Sequence, residues 1–366
     1  MRSKIKIVVK RCFDLTTPLC KTLLLFLTIL YLPIIFKITM SSFNTTDTLP
    51  QIKAINTEVL KTIGPFTVRV KAGMFIKNFP VFDIVKNTFL IDAVVWFEFH
   101  GDEIMLETIG KFSIDNGKIT YLSPPDIRIL DDHIFAKYNV LFELKTDLNF
   151  HKFPFEDHQL PILLSNDFVT PEEMIFTVDA SSFQTRPNIA PSGWKLNDMN
   201  IDAGILQLQL DRQDANKKAE NPKALFVMKF MHDSARKALV IFVPLFSATF
   251  LSLLSFIINI GNPVGKFSLA ITSLTALLGY RFVIEQMLPP VGYLTTTDAI
   301  YLFLLIFIFL IFSFQLLLTR YYSLATTEKK IDPILIIEKF EKFSGLIFLV
   351  LTCIFIAAIT YLIFLF

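Results

Sequence analysis

The sequence predicts an all-β domain followed by a bundle of four membrane-spanning helices. Two observations carry this prediction: four long apolar stretches fill the last third of the chain, and before them apolar residues recur with period two between turn dipeptides. The composition agrees, since 53% of the 366 residues are hydrophobic, 39 are Phe, and the mean hydropathy is +0.53. Such a composition is typical of a chain with a lipid-facing surface. The length leaves room for one soluble domain beside a membrane domain.

The first 40 residues resemble a secretory signal. Basic residues dominate the start, and an apolar core follows from Leu23 to Phe36. This core is shorter than the ~20 residues that a spanning helix needs, which favours a signal peptide. The residues from Lys37 to Met40 make a poor cleavage site, so an uncleaved N-terminal anchor is the alternative. Either interpretation predicts that the following domain is exported.

Residues 48–237 have the pattern of an exported β domain. Apolar residues alternate with polar ones in two clear runs: Phe142, Leu144, Thr146, Leu148 and Phe150, and Leu206, Leu208 and Leu210. Turn dipeptides separate such runs, and Asn116-Gly117 predicts a type I′ hairpin. We therefore expect an antiparallel, immunoglobulin-like sandwich of about ten strands.

Residues 238–366 are predicted to form the membrane domain, with spans at 238–260, 267–287, 299–318 and 343–366. Lys266 follows the first span and several basic residues follow the third, whereas the turn after the second span has no Lys or Arg. The positive-inside rule then places the β domain and the carboxyl terminus outside a cell membrane, either the plasma or the inner membrane. Residues 334–343 mix apolar and charged side chains and predict a short amphipathic helix on the inner surface.

The second span carries a polar stripe. Its members are separated by four, three, four, three and four residues, which puts them on one helical face: Ser268, Thr272, Thr275, Gly279, Phe282 and Gln286. One interpretation is that several copies of this face enclose water. The other is that small residues let helices pack closely while hydroxyls bond to their own backbone. Arg281 and Glu285 are four apart and are expected to pair.

Nothing in the sequence indicates an enzyme. The chain has no GxSxG, HExxH, GxGxxG or phosphate-loop motif. His151 and His158 flank two acidic residues, but their spacing matches no metal site, and ordinary loop histidines are the favoured interpretation. Three cysteines cannot build a disulfide framework or a metal cluster in the exported domain, and a net charge of +2 excludes a nucleic-acid partner. We expect no cofactor and no bound metal.

Two segments carry a resemblance to a known family. Phe153-Pro154-Phe155-Glu156 lies between two predicted strands, and residues 289–295 (Pro-Pro-Val-Gly-Tyr-Leu-Thr) follow the striped span. From about Thr67 to the end, the chain resembles the pentameric ligand-gated ion channels, the Cys-loop receptor family. It is most similar to prokaryotic members that lack the loop disulfide, because Thr146 and Leu160 stand at the cysteine positions.

This resemblance implies a homopentamer in the lipid bilayer, with the second span lining an ion pore. The implied pore-lining residues are Ser268, Thr272, Thr275, Gly279, Phe282, Glu285 and Gln286. A ring of Phe282 could close the path by dewetting. Five Glu285 carboxylates would attract cations, whereas the absence of an acid beside Lys266 resembles the anion-selective pattern. We favour cations as the permeant ions, with anions as the open alternative.

The resemblance also implies positions that couple the exported domain to the pore. They are Asp83, Pro154, Glu156, His232, Pro290 and Tyr293. Two of these depart from the family pattern, because Glu156 replaces the usual Asp and His232 replaces an Arg. If His232 faces Asp83 or Glu156, gating should respond to protons near neutral pH.

The agonist is an unknown small extracellular ligand or protons. Relatives that bind amines use an aromatic box between subunits; the corresponding candidates here are Trp96, Phe97, Asp126, Arg128, Phe168 and Arg212. Residues 211–223, which should cap this box, include no aromatic residue, so an amine is disfavoured. A divalent ion or a small acid meeting Arg128 or Arg212 fits better. The alternative from another class is a membrane-anchored β-sandwich that senses or binds a ligand without conducting ions.

Overall fold

The computed structural model describes residues 17–41, 43–55, 67–130, 132–191, 193–210, 218–259, 261–288, 290–327 and 333–365. These divide into two units. The helical unit contains the described residues up to Phe43, the segment Phe150–Phe155, and those from Ser234 onward. The β-rich unit contains Asn44–Asn149 and Glu156–Asp233. The N-terminal part is therefore β-rich, with one leading helix and short helical turns beside the strands, and the C-terminal part consists of long apolar helices, as the sequence predicts at this level.

The β-rich unit contains two sheets. The strands are β1 (Lys53–Ala54), β2 (Val68–Asp83), β3 (Thr88–His100), β4 (Ser113–Ile114), β5 (Gly117–Leu122), β6 (Asp126–Leu130), β7 (His133–Lys145), β8 (His158–Ser165), β9 (Met174–Thr177), β10 (Phe183–Thr185), β11 (Trp194–Gln209) and β12 (Lys218–His232). One sheet has the order β1-β11-β12-β8-β4. The other has the order β10-β2-β3-β7-β5, with β6 beside β7 and β9 beside β2.

Alternating apolar side chains form the interior of this unit. Along β3 every second residue is buried, and β7 continues the pattern with buried Phe142 and Leu144 between outward Glu143 and Lys145. From the other sheet, Phe226 and Phe230 of β12 are also buried. Because side chains on a strand point alternately to the two faces, period two buries one face of β3 and β7, whereas residues 222–228 of β12 are buried on both faces. The predicted alternation is confirmed here.

The pairing is mixed rather than antiparallel. The short strands β9 and β10 both run parallel to β2, pairing with Val68–Lys71 and Met74–Ile76 in turn. Both strands follow β8, which lies in the other sheet, so the chain reaches the edge of β2 by a crossover rather than a hairpin. The prediction of a purely antiparallel arrangement is wrong at this edge.

Two local predictions also fail. Asn116 and Gly117 do not form a type I′ turn, because positive φ among the described residues occurs only at Asn87, Asn188 and Gly193; the dipeptide instead links β4 and β5, which belong to different sheets. Leu208 and Leu210 are 48% and 70% exposed. In that region β11 pairs only with β12, beyond the end of β8, so no second layer covers these leucines.

Among the described residues, five long helices belong to the helical unit, and the short helix α2 (Leu106–Ile109) lies in the β-rich unit. The long helices are α1 (Pro18–Thr39), α3 (Ala235–Leu254), α4 (Pro263–Met287), α5 (Thr296–Thr327) and α6 (Pro333–Leu365). All five contain an apolar stretch long enough to cross a bilayer, which indicates a membrane protein. Their buried apolar residues form one core.

The helix bounds differ from the predicted spans. Helix α4 begins at Pro263 rather than at residue 267, and α5 covers Thr296–Thr327 rather than 299–318. Helix α3 ends at Leu254 rather than at residue 260, because turns follow it. Helix α6 is continuous from Pro333, so the predicted separate amphipathic helix at 334–343 is wrong. No Pro or Gly interrupts the chain between Pro333 and Gly345, and the helix therefore continues through the charged residues into the apolar span.

Candidate functional site

The two sides of α4 have different environments. Its buried residues are Lys266, Ala270, Ser273, Leu277 and Ile284, which point into the helical unit. The other side is exposed in the single chain and contains Glu285 and the whole stripe: Ser268, Thr272, Thr275, Gly279, Phe282 and Gln286. The stripe therefore does not pack against helices of its own chain. If the small residues of the stripe serve helix packing, the partner helix must therefore belong to another chain.

The exposed side of α4 is wider than the stripe. Apolar Ile271, Leu278 and Val283 flank the hydroxyl row and are exposed too. The Thr275 hydroxyl donates to the Ile271 carbonyl at 3.0 Å, so its oxygen lone pairs remain available on the exposed side. Gly279 has nothing within 4 Å of the position that a Cβ would take, and Phe282 is 71% exposed. Along the helix, the stripe therefore changes from small and polar to bulky and apolar.

Arg281 joins α4 to α5 at the carboxyl end of the stripe. Its Nε donates to Glu285 at 3.0 Å, as the spacing predicts, and Nη1 donates to Asp298 at 2.6 Å. Asp298 is 11% exposed and also accepts from the backbone N–H and the hydroxyl of Thr295. The guanidinium lies 5.3 Å from the centre of the Tyr301 ring. Asp298 was not among the predicted site residues, since a partner seventeen positions away cannot be read from helical spacing.

The segment Phe150–Phe155 packs within the helical unit, although it lies between β7 and β8 in the chain. Tyr293 accepts from the Phe150 N–H at 2.8 Å, and its ring stacks on His151 with centroids 3.9 Å apart. At the start of α5, Thr296 donates to the His151 carbonyl at 2.8 Å from its N–H and 3.0 Å from its hydroxyl.

The aromatic residues of this segment are buried among the helices. The Thr297 hydroxyl donates to the Phe153 carbonyl at 2.9 Å, and Phe153 is 1% exposed. Phe155 stacks on Phe242 of α3, with centroids 5.5 Å apart and an interplanar angle of 6°. Pro154 therefore lies in a loop whose neighbouring residues contact the turn before α5 and the start of that helix. The predicted coupling residues Pro154 and Tyr293 belong to one compact arrangement, and Pro290 is exposed in the same turn as Tyr293.

A buried polar cluster lies in the β-rich unit at the ends of β8 and β12. Asp157 accepts from the backbone N–H groups of Asn44 at 2.7 Å and His232 at 2.8 Å. The His232 ring stacks on Trp194, with centroids 4.3 Å apart. His158 Nδ1 lies 3.0 Å from Asp47 Oδ2, and both side chains are 3% exposed.

Burial raises the pKa of Asp157 above its ordinary value of 3.8, although the His232 and Asn44 backbone N–H groups and the nearby His158 oppose the shift. Glu156, the residue before Asp157, is also buried. Asp83 instead pairs with Lys86 at 3.4 Å and accepts from the Lys86 N–H at 3.0 Å, in the turn after β2. His232, one of the predicted coupling residues, thus contacts Trp194 through its ring and Asp157 through its backbone N–H.

Some of the predicted ligand residues share one outward sheet face. Trp96 and Asp126 both pair with Lys137 across neighbouring strands, and Arg128 pairs with Phe135 in the next row. Lys137 donates to the Asp126 carboxylate at 2.8 Å, which lowers the pKa of that carboxyl. The Trp96 and Phe135 rings lie 5.6 Å apart. This face therefore combines aromatic surface with both signs of charge.

The remaining ligand candidates lie elsewhere. Phe97 points to the opposite side of β3 and is fully buried against Phe112 and Phe176, so within this chain it is a core residue that no surface ligand reaches. Phe168 is 69% exposed in the loop after β8, with the Lys111 ammonium 5.5 Å from its ring centre. Arg212 lies outside the described residues.

The structure adds a buried lysine near Phe168 that the sequence did not reveal. Lys223 of β12 is 2% exposed and donates to Asp115 at 2.8 Å and to Asp167 at 3.3 Å. Burial raises the pKa of Asp167, but hydrogen bonds from Ser165 and the charge of Lys223 outweigh it and hold the pKa below 3.8. The strand pattern gives no signal for this site, because its members come from separate parts of the chain.

Comparisons with known proteins do not identify a family. No protein-family model matches the chain, and no curated protein is similar to it in sequence.

Proposed function

We propose that this chain is a subunit of an ion channel, assembled as a homopentamer around a pore lined by α4. The observation that carries the proposal is the exposure of the whole stripe, while the other side of the same helix is buried. A row of hydroxyls on an apolar membrane helix is unfavourable against lipid, since lipid tails offer no donor to the oxygen lone pairs that remain after a hydroxyl such as that of Thr275 bonds to its own backbone. Several copies around an axis satisfy the row by enclosing water.

The chemistry of the stripe supports passive conduction. Hydroxyls of Ser268, Thr272 and Thr275 can replace part of an ion's hydration, and Gly279 leaves space at the next position. Phe282 is our proposed gate, because a ring of large apolar side chains expels water from a narrow pore. Glu285 at the outer mouth attracts cations, even though Arg281 pairs with it, and we propose that cations permeate.

We further propose that a small extracellular ligand or protons control the gate through the Phe150–Phe155 segment. This segment contacts the turn before α5 and the start of that helix through Tyr293, Thr296 and Thr297. Because its two ends continue into β7 and β8, a rearrangement of those strands reaches the helices through covalent connections. The outward face with Trp96, Asp126 and Arg128 is our candidate for one side of the ligand site, and the loop with Phe168 for the other side, contributed by the neighbouring subunit.

Cysteine accessibility tests pore lining directly. In a background with the native cysteines changed to serine, Thr272→Cys should react with a charged, membrane-impermeant thiol reagent, and the reaction should reduce currents in reconstituted bilayers. Ser273→Cys is the matched control, because Ser273 is the next residue but is fully buried. It should remain unlabelled.

The alternative is a non-conducting, membrane-anchored sensor or binding module, in which the stripe is a packing seam between chains. In that case Thr272→Cys resists the reagent in every condition. Recording currents while pH and a dilute salt gradient are stepped separates the two proposals further: the reversal potential reports cation or anion preference. No current in any condition would contradict the channel.

A further inference from the structure

We infer that α1 is a retained helix of the mature membrane protein, fastened in the groove between α3 and α6, and not a signal segment removed on export. This holds whether or not the protein conducts ions. One side of α1 packs against the other helices along its whole length, and that side includes a buried charge, Lys21.

The buried side of α1 follows a regular spacing. Lys21, Leu25, Thr28, Leu32, Ile35 and Thr39 are buried, at steps of four, three, four, three and four residues. The other side is exposed and apolar, with Phe26, Leu30 and Ile34 all more than half exposed. A helix that packs on one side and presents Leu, Ile and Phe on the other is suited to the edge of a bundle in lipid.

Lys21 makes the most informative contact. Its side chain is 2% exposed, and Nζ donates to the Phe256 carbonyl after α3 at 2.9 Å and to Glu341 of α6 at 3.5 Å. A buried ammonium is expensive unless it is paired and hydrogen-bonded. The carbonyl and the carboxylate provide those partners, and they come from the turn after α3 and from α6, both more than two hundred residues away in the chain. A leader that is cut off has no physical need for a partner set of this kind.

The rest of the helix is fastened by polar and aromatic contacts. Midway, the Tyr31 hydroxyl lies 3.2 Å from the Thr360 hydroxyl of α6. Near its carboxyl end, Phe36 stacks on Phe155 and Phe242, with centroids 5.5 and 5.2 Å away. Removing α1 would therefore expose Phe242 of α3 together with the Phe155 ring. It would also leave the Glu341 carboxylate without Lys21.

The first experiment measures the mature mass. The full chain, with a carboxyl-terminal tag, is expressed in bacterial membranes, purified in detergent and weighed by intact mass spectrometry. The expected mass is that of the whole 41.9 kDa chain plus the tag, with peptides from 18–39 present after digestion. A mass that lacks the residues up to about Met40 overturns the inference.

The second experiment tests the fastening. Lys21→Met and Glu341→Gln should each lower the thermal unfolding midpoint by several degrees, because each removes the ion pair that offsets the cost of burying the Lys21 ammonium or deletes that ammonium's contacts with α6 and the turn after α3. The matched controls are Lys37→Met on the exposed side of α1 and Glu338→Gln on α6, where the carboxylate is 59% exposed. Both controls should leave the midpoint unchanged.

A double-mutant cycle shows whether the two residues act together. Lys21→Met should cost less in the Glu341→Gln background than in the wild type, since part of the contact is already lost. Additive effects, or equal effects of the buried and exposed lysine substitutions, contradict the fastened helix. The mass measurement uses the unaltered chain, so the inference stays testable even if a variant fails to fold.

Discussion

At the scale of single residues, burial separates predicted site residues that were grouped by their aromatic chemistry. Phe97 and Trp96 are neighbours with the same aromatic chemistry, yet Phe97 is fully buried and Trp96 lies on the outward face. Phe282 is an apolar residue that is 71% exposed on a helix whose other side is buried. A large apolar side chain in that position needs either lipid or a pore axis, which makes Phe282 the most informative residue to change.

We expect Phe282→Ala to increase the current in the absence of agonist several-fold, because a smaller ring of side chains no longer excludes water at the constriction. The measurement is the basal current of reconstituted channels at matched protein density. Val283→Ala serves as the control on the next residue and should leave the basal current near the wild-type level. Equal currents for all three proteins would remove Phe282 as the gate.

Asp157 predicts a pH-dependent difference in stability. Its folded-state pKa is raised by burial above 3.8, so the folded state binds its proton more tightly than the unfolded state does. The stabilisation is complete below the ordinary pKa and is lost as the pH rises through the raised pKa. Wild-type protein should therefore exceed Asp157→Asn in thermal midpoint most at the acidic end, with the gap narrowing toward neutral pH.

The control for this prediction is Asp198→Asn, whose carboxyl is largely exposed and has its pKa lowered by Lys229. Its gap from the wild type should widen, not narrow, as the pH rises through the acidic range. A gap for Asp157→Asn that grows with pH would show that the folded state favours the charged carboxylate.

At the scale of secondary-structure elements, the joint between α4 and α5 depends on Arg281. One of its carboxylate partners, Asp298, is 11% exposed and belongs to the start of α5, while the other, Glu285, is 55% exposed on α4 itself. Local spacing within a helix predicts the second pair but not the first. The pair that joins two elements is the one that matters for their relative position.

We expect Asp298→Asn to destabilise the helical unit by about 1–3 kcal/mol, because a partly buried guanidinium loses a charge-assisted hydrogen bond. Glu285→Gln is the matched control on the same arginine and should cost less than about 1 kcal/mol, as solvent screens that pair. Thermal unfolding in detergent, followed by helical circular dichroism, measures both. Equal losses would show that the two carboxylates contribute alike.

The sequence predicts helices and strands better than it predicts the contacts between them. The four-three spacing of α4 correctly identifies one face as distinct, and period two correctly identifies the interior of β7. Segments that pair with distant partners were missed: β9 and β10 reach β2 by crossovers. In the sequence, Lys21 belongs to the basic start that resembles a secretory signal. The structure shows that its ammonium pairs with Glu341, which is 320 residues later in the chain. Such contacts depend on which distant segments the fold brings together, and local periodicity contains no information about long-range pairing.

At the scale of the whole molecule, the proposed pore needs several chains. One copy of α4 leaves the hydroxyl row exposed, and in the proposed assembly further copies cover it. We expect native mass spectrometry from mild detergent to give a particle of about five times 41.9 kDa. A stable monomer would contradict the assembly.

Glu285→Lys, which reverses the charge at the proposed pore mouth, should keep that mass and shift the reversal potential toward anions.

The location of the Phe150–Phe155 segment has a practical consequence for anyone who exchanges parts between chains. Residues 44–149 and 156–233 look like a transferable module, but the loop between them packs its Phe153 and Phe155 rings among the helices. If a chimera takes this module together with the Phe150–Phe155 loop, the Phe153 and Phe155 rings must pack against the helices of the other protein, which did not evolve to fit them. The fusion boundaries should therefore fall near residues 149 and 156 as well as 233, so that the loop is inherited with the helices.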